Sequence, residues 1–288
     1  MHTKKHKDLT YKDIILNKEL YSQELIKHKL VGFERLNLTA DEYKNLVLEI
    51  CFLNKKSDEK FYLVEKNNHQ NLYQPNKKTL SKLEIDNFKK WCMHVDVDLT
   101  LTASDNVLED NLHTSYVSMY MRTFKCDKSF GKTLLLDLTK MYDNCPNYFK
   151  SFLLDATLEH HLAEPEEFNL NTQTQFVEND AKSIPVIFFP FRTHPITKET
   201  ILFWPTYSST KLHGGLKQWF EEFKEWIKQQ LDDNNNWYTW DWDEGDVLIF
   251  DNRCMIHTFT PGWDPSERIF DQIIAGFEKP YYDSIKVL

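Results

Sequence analysis

Two histidines and an aspartate stand out in this 288-residue chain for the chemistry they could share. His94 and Asp96 lie two apart in a stretch where Val95, Val97, Leu99 and Leu101 alternate with Asp96, Asp98, Thr100 and Thr102. Residues i and i+2 of a strand point to one face, so this imidazole and carboxylate can grip a single ion. His257 follows an apolar run, 247–250, and the polar step Asp251-Asn252-Arg253, which sets it near a strand end. A distant histidine joined to such a pair makes a 2-His-1-carboxylate triad, and that triad leaves coordination positions open on non-heme Fe(II). Each residue also fits a plainer role. His257 alone suits a hydrogen-bonded structural histidine, and His94 with Asp96 suits a polar strand face. A second register competes for the first ligand: His113-Thr114-Ser115, just before another strand-like run, offers a histidine with no carboxylate beside it.

The elements that must position these groups can be read from periodicity. Residues 19–30 have helical spacing and lead into a short apolar strand at 30–36. Thr39 and Glu42 form a capping-box pattern ahead of Tyr43, Leu46, Val47 and Ile50, a one-faced helix. The Asn-, Lys- and Gln-rich stretch 55–78 reads as a surface excursion around a strand at 61–64. Further strands are expected at 117–124, 133–138, 185–191, 200–204, 246–250 and 270–276, and helices at 148–162 and 216–231. Within the second-last helix, His160 and His161 read as solvated surface, since sequence neighbours diverge on a helix. Asp232 to Asn236 lacks calcium-loop spacing and reads as a loop. Many short strands, with helices at the front and in insertions, predict an α+β chain with a mainly β core in one domain, 1–288, whose first ten residues form a frayed tail.

Composition narrows the partners. There are 35 basic and 44 acidic side chains, a formal charge of −9, which disfavours nucleic acid or an anionic membrane as the main partner. Aromatic residues make up 14% of the chain, enough to wall a cavity. The 5 cysteines, Cys51, Cys92, Cys126, Cys145 and Cys254, are odd in number and widely spaced, as expected of reduced thiols in a cytoplasmic protein. No apolar run reaches bilayer-spanning length, and the start carries no signal-like segment. A small-molecule substrate is the partner that remains, with oligomeric state unread.

The run Glu244-Gly-Asp-Val-Leu-Ile-Phe-Asp-Asn-Arg-Cys-Met-Ile-His257, followed by Glu267-Arg268 and Ile273-Ile-Ala-Gly276, resembles the TauD/TfdA family of Fe(II)/2-oxoglutarate oxygenases. Phe191-Arg-Thr-His-Pro195, Thr200-Ile-Leu-Phe203 and the early residues 29–42 also look like family landmarks, so the resemblance spans most of residues 20–280 in order. It implies a double-stranded β-helix (jelly-roll) core with flanking helices. It implies further that His94, Asp96 and His257 hold Fe(II), and that Arg268 and Thr133, in Phe130-Gly-Lys-Thr133, bind the distal carboxylate of 2-oxoglutarate. A guanidinium fork suits that contact; the plainer reading of Arg268 is a surface salt bridge with Glu267 or Asp271. The activity implied is O₂-dependent hydroxylation or desaturation of an unactivated C–H bond in a small polar metabolite, with an amino acid or amine as the expected class. The interval from His94 to Thr133 is longer than the family's usual one. The His113 register would instead put Ser115 in the carboxylate position and imply a radical halogenase admitting chloride. A jelly-roll binding protein without catalysis is the other alternative. Gln272 stands near the place of a substrate-binding arginine in taurine dioxygenase, which speaks against a sulfonate substrate.

Overall fold

The computed structural model describes residues 5–53, 61–70, 115–154, 156–162, 186–204, 208–214 and 217–277. Three helices come first: α1 (Tyr11–Leu16), α2 (Lys18–His28) and α3 (Ala40–Cys51). The capping box of α3 forms as expected: Glu42 N–H donates to Thr39 Oγ1 (3.2 Å) and Thr39 N–H to Glu42 Oε2 (2.9 Å). A second one, Thr10 with Asp13, starts α1. The frayed start expected for the first ten residues does not extend this far: β1 (Lys5–His6) pairs in parallel with β2 (Leu30–Phe33), and the His6 ring packs 4.9 Å from that of Tyr21.

The strands β3 (Phe61–Gln70), β4 (Tyr116–Phe124), β12 (Val247–Asp251) and β14 (Arg268–Phe277) complete a six-stranded sheet in the order β1-β2-β12-β4-β14-β3. Its strands β2, β12 and most of β4 are buried on both sides, and alternation assigns the sides. Val117, Met119, Met121, Leu248 and Phe250 enter one core, whereas Tyr116, Tyr120, Val247 and Ile249 enter the other with Tyr43, Leu46, Val47 and Ile50 of α3. The N-terminal helices therefore act as a backing plate, leaving the opposite face for the site.

Across that opposite core stands a three-stranded sheet, β11-β5-β13, from β11 (Trp237–Trp240), β5 (Thr133–Asp137) and β13 (Met255–Phe259). Leu135 and Met255, on the side of this sheet that turns to the facing strands, join their core. The helices α4 (Leu138–Asn144), α5 (Asn147–Leu153) and α6 (Lys217–Asp232) contribute Met141, Phe149 and Phe223 to it. Smaller pieces follow: β6 (Thr157–Leu162), β7 (Val186–Phe188) and β10 (Ser208–His213) in one sheet, β8 (Phe191–Thr193) with β9 (Thr200–Leu202) in another.

The helix expected over 148–162 is corrected. It stops at Leu153, and the segment carrying His160 and His161 is strand β6, paired with both β10 and β7. The segment Thr157–Leu162 has one β-branched residue and no strict alternation, so its strand form comes from the two partner strands, a tertiary preference that spacing within the segment does not reveal. Likewise the single strand expected at 185–191 is two, interrupted at Phe189 and Pro190.

Candidate functional site

The strand carrying His257 fixes what it can face. In the β13–β5 ladder His257 is opposite Leu135 and Phe259 opposite Thr133. Directly opposed residues share a face of the sheet, as do residues two apart along a strand, so His257 and Thr133 project from the same side. They are separated by about two residues of strand, ~7 Å. The side is the one turned to the six-stranded sheet, for the His257 ring lies 4.9 Å from that of Phe250, tilted by 58°. His257 is 7% exposed, at the inner wall.

Arg268 comes from the facing sheet, at the start of β14, where it pairs with Phe124. Its side chain reaches across to Thr133. Nε donates to the Gly131 carbonyl (3.1 Å) and one Nη donates to Thr133 Oγ1 (3.4 Å). The Trp242 indole N–H donates to the same Oγ1 at 2.9 Å. Aromatic rings enclose the guanidinium, with Phe270, Trp263 and Trp242 centroids 4.8, 5.2 and 6.0 Å from its carbon. Gly131 takes φ of +69°, a left-handed conformation that suits glycine and turns its carbonyl to Nε.

The salt bridge considered for Arg268 does not form. Glu267 instead caps the turn at Asp264, accepting from its N–H at 2.9 Å, and Asp271 accepts from Arg122 Nε at 2.6 Å. Among the described residues no carboxylate pairs with Arg268, although it is 1% exposed. Burial pushes its pKa down to about 10, so it stays a cation at neutral pH. A desolvated guanidinium, a hydroxyl and an aromatic cage, with no carboxylate of the described residues among them, are groups that can hold a carboxylate.

His94, Asp96 and His113 lie outside the described residues, so the first half of the expected metal triad is on neither side of the comparison. Ser115 is described: its N–H donates to the Ala275 carbonyl (2.9 Å) and its carbonyl accepts from Asn252 N–H (3.0 Å), leading into β4. Gln272 pairs with Met119 and thus shares its inward face.

A second buried polar group lies where β12 turns into β13, and sequence reading singled out its members only as parts of a run. Arg253 closes on Asp251 two residues earlier, with Nε donating to Oδ1 at 2.7 Å and a terminal nitrogen to Oδ2. Although burial works against its charge, the Arg253 guanidinium holds Asp251 far below the usual carboxylate range. His194 Nδ1 accepts from the N–H groups of Ile196 (3.3 Å) and Thr197 (3.0 Å), which puts the proton on Nε2, 3.0 Å from Asp251 Oδ2. Lys29 continues the network to Thr139 (2.6 Å), Asp137 (3.1 Å) and Glu199 (3.3 Å). His194, Asp251 and Cys254 bring ligand-type atoms within 4.8 Å of one another. Asp251 is committed to Arg253 and His194 presents N–H, so the group is an ion-pair cluster that braces the β12–β13 turn. The Asp-x-Arg spacing was the available signal. The described cysteines, Cys51, Cys126, Cys145 and Cys254, are buried, and no disulfide joins any two of them.

The model of the family described as taurine catabolism dioxygenase TauD, TfdA family matches residues 23–272. No curated protein matches the chain by sequence. Among solved structures, AAD-2 in complex with Mn(II) and N-oxalylglycine is similar at a TM-score of 0.63 and 15% identity, covering 91% of this chain and 87% of that one. A taurine dioxygenase from Burkholderia xenovorans is similar at 0.59 and 14%, covering 91% and 81%. At such identities the likeness is one of fold. Among the described residues no helix is long and apolar enough to cross a membrane.

Proposed function

The chain belongs to the TauD/TfdA family of dioxygenases, and from that premise we propose that this Fe(II)/2-oxoglutarate-dependent enzyme oxidises an unactivated C–H bond of a small polar metabolite. Amino acids and amines are the class to test first, with hydroxylation or desaturation as the outcome. His94, Asp96 and His257 hold the metal in this reading, and Arg268 with Thr133 holds the distal carboxylate of 2-oxoglutarate. The two facing sheets then act as a double-stranded β-helix with the site between them. The observation that carries the proposal is the buried Arg268 guanidinium, donating to Thr133 and Gly131 with no carboxylate partner among the described residues.

Iron(II) with bound 2-oxoglutarate supplies the oxidising power, drawn from O₂. The chain's own residues do the rest. Arg268 and Thr133 bind one end of a five-carbon diacid and set its direction along β5 toward His257. Trp242, Trp263 and Phe270 exclude water around the ion pair, which strengthens it. Phe250 packs on the His257 ring and limits its rotation. Gln272, an amide on the inward face, supports a substrate other than a sulfonate.

Anaerobic visible spectroscopy tests the assignment, with Fe(II) and then 2-oxoglutarate added to wild type, Asp96→Ala and His113→Ala. The expected result is a charge-transfer band that needs both additions, survives in His113→Ala and is lost in Asp96→Ala. The reverse pattern would move the first ligand to His113 and the chemistry toward halogenation. A folded wild type with no band and no succinate formation would leave a binding protein and overturn the proposal.

A further inference from the structure

Thr133 Oγ1 is approached by two groups that can only donate, the Trp242 indole N–H at 2.9 Å and an Arg268 Nη–H at 3.4 Å. A hydroxyl has two acceptor lone pairs and one hydrogen. With both lone pairs engaged, its hydrogen can be directed only to a third group, and that group must be an acceptor. Thr133 is 2% exposed and Trp242 fully buried, so water does not compete freely for either position. Trp242 is itself held: its ring meets that of Trp240 edge-on at 5.8 Å, and Lys128 Nζ donates to its carbonyl at 2.7 Å.

We propose that Trp242 is a positioning residue that locks the Thr133 hydroxyl as a donor, so that the site accepts a carboxylate and rejects the equal-sized carboxamide. The inference rests on the reading of Arg268 and Thr133 as the 2-oxoglutarate subsite. Arginine alone is an incomplete filter, because an amide can turn its oxygen to the guanidinium and its NH₂ to a hydroxyl free to accept. Fixing the hydroxyl removes that escape: an amide then sets donor against donor, and a buried unpaired donor is costly.

The test measures binding, not turnover. Calorimetry on Mn(II)-loaded protein compares 2-oxoglutarate with 2-oxoglutaramate, its 5-carboxamide, in wild type, in Trp242→Phe, and with 3-benzothienylalanine incorporated at position 242. The last replaces the indole N–H by sulfur at nearly constant shape, so it carries the test if Trp242→Phe misfolds. Loss of the N–H should weaken 2-oxoglutarate about tenfold while the amide binds as well as before or better, narrowing the preference. An equal loss for both ligands, or no change in either, would make Trp242 packing alone and overturn the inference. A wild type that binds no 2-oxoglutarate would overturn the subsite reading beneath it.

Discussion

Replacing Arg268 by methionine separates a structural arginine from one kept for a ligand, because the two roles predict opposite signs. Burial pushes Arg268 down to about 10, and set against an ordinary guanidinium that represents roughly 3 kcal/mol for holding its charge in the fold. Methionine of similar length removes this cost. It also leaves the Gly131 carbonyl and the Thr133 hydroxyl without their guanidinium donor, at about 1 kcal/mol each. The ligand-free variant should therefore be at least as stable as wild type, and about 1 kcal/mol more so. That is a rise in Tm of about 2 °C for a chain of this size. Thermal melts with and without 2-oxoglutarate provide the assay. Wild type should rise with ligand, by the mass action of binding to the folded state, and Arg268→Met should not. A ligand-free variant destabilised by 2 kcal/mol or more would refute the reasoning and make the guanidinium a structural strut.

Two further substitutions probe the frame that holds the site. A Cβ on Gly32 would lie 1.9 Å from Trp240 Cη2, so Gly32→Ala should cost about 3 kcal/mol by urea unfolding, and Trp240→Leu in the same chain should recover part of it. Asp251→Asn leaves Arg253 buried with its carboxylate gone, and should cost about 3–5 kcal/mol. The pH dependence has a defined sign: since the fold lowers the pKa of Asp251, its contribution is present above the unfolded value of roughly 4 and is lost as pH falls below it. The stability gap between wild type and Asp251→Asn should consequently be widest near neutrality and narrow in acid; a gap that stays constant down to pH 3 would remove the ion pair as its cause.

The sequence was most legible where one segment carries its own instructions. Thr39 with Glu42 announces the start of α3, and the burial of Tyr43, Leu46, Val47 and Ile50 follows from their spacing. His257, Thr133 and Arg268 are candidates through the resemblance to a family, not through local spacing. That Thr133 and Arg268 meet, from different sheets and 135 positions apart, is a fact of topology. The strand half of segment 148–162, β6, is defined by partners at 186–188 and 208–213, which local periodicity cannot register. In the sequence Trp242 is one aromatic residue among many. Its function depends on where one N–H points, and spacing carries no such information.

Two buried arginines in this chain show why pairing, more than burial, separates frame from site. Arg253 is 2% exposed and Arg268 1%, so both have lost their water. Arg253 sits on Asp251 two residues away, a pair supplied by its own turn and seconded by His194. Such a pair is complete before any ligand arrives, and removing either member leaves a naked charge. Arg268 has acidic neighbours on the chain as well, Glu267 beside it and Asp271 three further on, yet the fold employs the first in a turn and gives the second to Arg122. Among the described residues the cation is thereby left without a carboxylate. In the proposed function its counterion is the ligand's carboxylate, and the cage of Trp242, Trp263 and Phe270 would make that attraction stronger than it is in water. A fold selected for stability alone gains nothing by withholding a partner from a buried charge, whereas a fold that binds an anion requires it.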